Sequence, residues 1–222
     1  MNIKQLRGIE GAKQAIGLTV VIDIMRAATV AAYAFGRGAK SIIPVSTKEE
    51  AFALRDKNPE FLLMGEINGI KIDGFDFGNS PSEISKVDLK NKILVQRTTS
   101  GTQGLINAIF ADTIIFGSFV TCSAIFRFIQ KNNFSDISIV SIDSEDEIFG
   151  HALESLITQG QFDKEKVRKE LYNDPGVEWF VDPLKPDFPK EDIDFALDFD
   201  KFNFVCLAKK INDQLIINKV KI

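Results

Sequence analysis

One histidine, two cysteines and one tryptophan among 222 residues close off several chemistries at once. A multi-histidine metal centre is impossible, and a Ser-His-Asp triad would rest on His151, which has no nucleophile motif around it. Cys122 and Cys206 lie far apart in apolar stretches, which argues against a disulfide framework or a thiolate metal site and makes both small core residues. Any metal must therefore sit on oxygen ligands.

An excess of positive charge is also lacking, because 27 Lys and Arg face 31 Asp and Glu for a net charge of −4. Nucleic acid and anionic membrane both require clustered cations, so neither is an expected partner. No stretch holds eighteen uncharged apolar residues, and residues 1–17 are charged throughout, without the apolar centre of a signal peptide. The expected location is cytoplasmic. The 19 phenylalanines include Phe195, Phe199, Phe202 and Phe204 near the C-terminus, which read as packing residues rather than a base-stacking platform.

What is present is an alternation of short β-branched runs with amphipathic stretches. Residues 18–22, 41–45, 61–64, 92–96, 113–116 and 137–142 predict strands; 26–35, 48–55, 101–109, 122–130 and 145–158 predict helices. This order predicts a three-layer α/β/α sandwich around a largely parallel or mixed sheet. Beyond Gly160 come a charged helix (163–171), a Pro-punctuated connection (174–189) and a helix (192–199). Strands at 202–208 and 214–220, joined around Asn212-Asp213, predict a C-terminal hairpin. A single domain spanning 1–222 is expected.

Four constellations could carry chemistry. In Val20-Val21-Ile22-Asp23-Ile24-Met25-Arg26, a buried strand ends on an acid, where side chains of open α/β sheets enter the ligand crevice. Asp23 there could hold a divalent cation and Arg26 clamp a phosphate, or Asp23 could cap the helix and pair with Arg26. Arg97-Thr98-Thr99-Ser100-Gly101-Thr102 runs from a strand into a hydroxyl-rich turn opening a helix, which reads equally as an anion site or as capping. It has neither P-loop nor GxGxxG spacing.

The third constellation joins Gly65-Glu66 to Gly74-Phe75-Asp76-Phe77-Gly78-Asn79-Ser80-Pro81. Glu66 and Asp76 supply oxygen donors for a Mg²⁺ site shared with Asp23, while Asn79 and Ser80 could contact substrate or cap the next helix. The fourth is Asp143-Ser144-Glu145-Asp146-Glu147. Acids in a first helical turn complement the helix dipole, so capping explains this run, and Glu145 and Asp146 stay secondary metal-ligand candidates.

Together these motifs and Gly117-Ser118-Phe119 resemble, in order and spacing over nearly the whole chain, the 2-phosphosulfolactate phosphatase (ComB) family. The stretch from Gly74 to Pro81 is the most specific element. The resemblance implies Mg²⁺-dependent hydrolysis of a small phosphorylated acid, 2-phosphosulfolactate or a related 2-phospho acid, on the route to coenzyme M. A homodimer is compatible with it. On this reading Asp23, Arg26, Glu66 and Asp76 are catalytic, and Asn79, Ser80, Arg97, Thr98, Thr99, Ser100, Gly101 and Thr102 bind substrate. Asp23, Glu66, Asp76, Glu145 and Asp146 ligate metal.

Met25 stands where the haloacid dehalogenases carry their second aspartate, which points to attack by water rather than an aspartyl-phosphate. Departures from the family pattern at Ala28, Ile67, Ser100, Thr121 and the short 141–144 turn put substrate identity in question. The alternative is a non-catalytic protein that retains the small-anion pocket.

Overall fold

The computed structural model describes residues 1–222. Ten strands form one mixed sheet: β1 (Asn2–Arg7), β2 (Gly17–Ile22), β3 (Ser41–Pro44), β4 (Leu62–Ile67), β5 (Ile70–Lys71), β6 (Ile93–Arg97), β7 (Ala111–Gly117), β8 (Asp136–Ser141), β9 (Phe204–Ile211) and β10 (Gln214–Lys221). The helices are α1 (Gly8–Ala12), α2 (Ala27–Gly36), α3 (Lys48–Lys57), α4 (Pro81–Ile84), α5 (Gly101–Asn107), α6 (Cys122–Asn132), α7 (Asp146–Gln159), α8 (Lys164–Tyr172), α9 (Glu178–Val181) and α10 (Glu191–Ala196). The α/β class, the mixed sheet and the terminal hairpin agree with the sequence pattern. No helix is long and apolar enough to cross a membrane.

Strand order is β1-β8-β2-β7-β9-β10-β3-β6-β4-β5. Two parallel sets, β1-β8-β2-β7 and β3-β6-β4, are joined by the β9–β10 hairpin, which runs antiparallel to both neighbours. The hairpin turns at Asn212 and Asp213, both in the left-handed region with φ of 49° and 63°. These residue types tolerate it, which is the hairpin preference of such a pair. The C-terminal hairpin is thus the middle of the sheet. Right-handed twist accumulates across such a sheet, and the carboxyl ends of the two sets meet at the start of α2, where Gln96 Nε2 donates to Ala27 O at 3.1 Å.

Strand β2 shows why the sheet is covered on both faces. Leu18, Val20 and Ile22 pack into a core with Ile125, Ile129, Phe149 and Leu153, while Val21 packs into a second core with Ala28, Ala31 and Leu105. Alternation with period two places consecutive side chains on opposite faces. Residues 27–35 of α2 are all buried, as a helix apolar on every side requires. The sequence pattern missed β1 and α1. β1 is an edge strand with Asn2, Lys4 and Arg7 exposed, and exposed charges are one way edges avoid mispairing.

Candidate active site

Asp23 follows the last residue of β2, and Ile22 lies in register with Gly117 of β7 and Ser141 of β8. The loops after these strands therefore emerge side by side. Asp23 is buried, and its Oδ1 accepts from Ala27 N at 2.7 Å, capping α2. Oδ2 carries no hydrogen bond and faces Gly101, where a β-carbon would lie 2.2 Å from it. Glycine at 101 is what allows the 98–102 turn to sit against the carboxylate. The Met25–Arg26 peptide is cis.

The acidic run after β8 divides by role. Asp146 accepts from Ile24 N at 2.7 Å, Ile142 N at 3.2 Å and Asp143 N at 3.0 Å, tying the β2 and β8 loops together. Asp143 is exposed, and neither it nor Oε1 of the buried Glu145 accepts a hydrogen bond. Burial, then the charges of Asp143, Glu145 and Glu66, push the Asp23 carboxyl up to about 8 against the amide of Ala27. Burial, opposed by its own backbone amide and helped by the charges of Asp143 and Asp174, raises Glu145 to about 7. Asp146 is raised by burial and by the charges of Asp23 and Glu145.

Glu66, near the end of β4, occupies the turn that the sequence offers to an external anion. Its carboxylate accepts from Thr99 N at 2.6 Å, Thr99 Oγ1 at 3.0 Å and Gly69 N at 2.5 Å. Thr98 and Thr102 bond to each other, amide to hydroxyl in both directions at 3.0 Å. The amides of Ser100 and Gly101 have no partner within the chain. Arg97 donates Nη1 to Glu66 O at 2.8 Å, and its buried Nε has no partner. Asn79 Oδ1 and Ser118 Oγ are also buried without partners.

Three of the expected site residues have partners elsewhere in the fold. Asp76 does not join Asp23: it is exposed, accepts from Leu63 N at 2.7 Å and lies 3.5 Å from Arg55. Leu63 precedes Glu66 by three strand positions, roughly 10 Å. Arg26 spends three of its five N–H donors within the chain, Nη1 on Asp192 Oδ2 and Asp187 O and Nη2 on Gly69 O, each at 3.0 Å. Ser80 likewise gives its hydroxyl to Asp192 at 2.8 Å and caps α4.

Asp143, Asp192 and Ser118 were not among the residues expected in the site. Asp143 had a visible signal, an acid just past a buried strand, as at Asp23. Asp192 had none, since its partners lie more than a hundred residues away. No three acid, His or Cys side chains converge closely enough to enclose a metal as they stand. A cavity of about 910 Å³ between α3, α5 and the hairpin contains none of these acids. Lone pairs and unpaired donors, rather than cavity volume, mark the candidate position.

Fold and site together define an α/β protein that gathers carboxylates at strand ends beside a turn with two free amides. The family model described as 2-phosphosulpholactate phosphatase matches residues 5–210. A protein of Caldanaerobacter subterraneus subsp. tengcongensis named "Probable 2-phosphosulfolactate phosphatase" is 37% identical over 207 residues, 84% of this chain and 85% of its own. Proteins given the same name in Carboxydothermus hydrogenoformans and Caldicellulosiruptor saccharolyticus are 45% and 38% identical over 114 and 147 residues. Those matches cover 51% and 64% of this chain and 47% and 60% of the relatives. The chain belongs to the 2-phosphosulfolactate phosphatase family. Proteins of that name are phosphoric monoester hydrolases.

Proposed function

We propose that this chain hydrolyses 2-phosphosulfolactate or a closely related 2-phospho acid, with Mg²⁺ held by Asp23 and one neighbouring carboxylate, Asp143 or Glu145. The observation that carries the proposal is the set of carboxylate oxygens without hydrogen bonds, Asp23 Oδ2, the Asp143 carboxylate and Glu145 Oε1, with Gly101 and the free amides of the Ser100–Gly101 turn packed against Asp23 Oδ2. Such a cluster of like charges repels an anionic ester unless a cation offsets it. Mg²⁺ takes one or two protein carboxylates, keeps waters and adds substrate oxygens, so an enclosing cage of three acids is unnecessary. Bound there, it would neutralise phosphate charge and lower the pKa of an attacking water.

The protein's own groups have separate tasks. Arg97 presents Nε to a phosphate oxygen while Glu66 O holds its Nη1 in place. Glu66 orders Thr99 and so sets the direction of the Ser100 and Gly101 amides, which donate to the equatorial oxygens as their charge redistributes. Ser118 Oγ and Asn79 Oδ1 are available to polar groups of the acid portion. Asp146 keeps Asp23 and Asp143 together through backbone bonds.

Phosphate release from 2-phosphosulfolactate, phospholactate and a phosphomonoester with a neutral tail tests this reading. The expected order of kcat/KM follows the number of acidic groups. Arg97→Ala should raise KM by about 10- to 100-fold, the equivalent of one lost charged hydrogen bond. Equal rates on all three esters, or an unchanged KM in the variant, would remove the assignment of substrate class and of Arg97.

A further inference from the structure

We infer that Arg26 is a positioning residue: its guanidinium fastens the 174–190 segment over the acid cluster and leaves the phosphate to Arg97. The catalytic meaning of this inference rests on the proposed function; the fastening itself does not.

The segment begins and ends on the acids that flank Asp23. At its start, Asp174 Oδ1 lies 3.3 Å from Ser144 Oγ, and Gly176 backs so closely onto Glu145 that a β-carbon would fall 2.4 Å from Oε2. At its end, the Phe188 ring covers Gly69, where a β-carbon would fall 2.1 Å from Cζ, and the Gly69 amide holds Glu66. Glu145 and Glu66 both act electrostatically on Asp23. The segment therefore bridges the cluster.

Arg26 holds the bridge at Phe180 and again near its end. Its Cζ lies 5.2 Å from the ring centroids of both Phe180 and Phe188, and Nη1 donates to Asp187 O. Bidentate recognition of phosphate uses two parallel N–H bonds of the guanidinium fork. Here the Nη1–Nη2 end of the fork, three of the five N–H donors, is engaged by Asp192 Oδ2, Asp187 O and Gly69 O. Asp192, fully buried, offsets the charge and with Oδ1 accepts from Ser80 Oγ and Ser82 N at 2.8 and 3.1 Å. One carboxylate thus joins Arg26, the Gly-rich loop and α10. Trp179, the only tryptophan, packs edge-on to Phe188 at 5.0 Å and reports on the segment.

The test uses the full chain carrying Arg26→Met with Asp192→Asn, so that no buried charge is left alone. Readouts are hydrogen exchange across 174–190, acrylamide quenching of Trp179, and affinity for inorganic phosphate with Mg²⁺ present. The expected result is exchange about tenfold faster or more in the segment, greater quenching, and a phosphate Kd within about threefold of the parent. A phosphate affinity weakened by about 10- to 100-fold with unchanged exchange would overturn the inference, because it makes Arg26 a direct ligand. Phe188→Ala keeps the ion pair, serves if the double variant does not fold, and should also speed exchange without changing Kd. Unchanged exchange in a folded double variant likewise overturns it. If the parent binds no phosphate, the functional proposal fails while exchange and quenching still decide the fastening.

Discussion

At Asp23, burial and three neighbouring carboxylates act in one direction, lifting the acid from 3.8 to about 8. Glu145 moves the same way, from 4.5 to about 7. The folded state therefore binds more protons than the unfolded chain between these values, and stability from both groups falls as pH rises. Without metal, Tm should decline between about pH 5 and pH 8, and Mg²⁺ should restore more of it at the upper value. Asp23→Asn keeps an acceptor for Ala27 N and removes the charge. It should exceed the parent by about 2–4 °C in metal-free buffer near pH 8, with the gain shrinking near pH 5. Thermal scans at the two pH values check both statements. Asp23 was legible in the sequence because a buried strand ends on it. The Glu66 carboxylate in the 98–102 turn was not, because nothing local indicates which acid a turn will receive.

Among the elements, the turn into α5 shows most directly how packing supports chemistry. Gly101→Ala would set a β-carbon 2.2 Å from Asp23 Oδ2 and 3.0 Å from the Ala27 β-carbon. Overpacking at such a contact typically costs about 1–3 kcal/mol. Denaturant unfolding should show that loss, and hydrolysis should fall with it because Asp23 Oδ2 must move. Strands such as β2 and β6 and helices such as α6 and α7 were legible from period and β-branching. The short α4, the two-residue β5 and the edge strand β1 were not, being too brief or too charged to carry a period. Their positions come from tertiary pairing.

For the whole molecule, the sheet is one surface only because the β9–β10 hairpin lies between two oppositely directed parallel sets. Ile217 is fully buried where β10 meets Ile42 of β3. Ile217→Ala should lower unfolding free energy by about 2–4 kcal/mol, seen as an earlier denaturant midpoint at unchanged m. The hairpin itself was legible, from two alternating runs around Asn212-Asp213. Its insertion at the sheet centre was not, since strand order depends on long-range partners.

The most direct test of a Mg²⁺-assisted centre at Asp23 is the initial rate of phosphate release from 2-phosphosulfolactate, with Mg²⁺, with chelator, and after Mg²⁺ is restored. The predicted result is turnover that chelator abolishes and Mg²⁺ recovers, and that Asp23→Asn lowers by about 100-fold or more in kcat. Turnover indifferent to chelator, or undiminished in the variant, would contradict it.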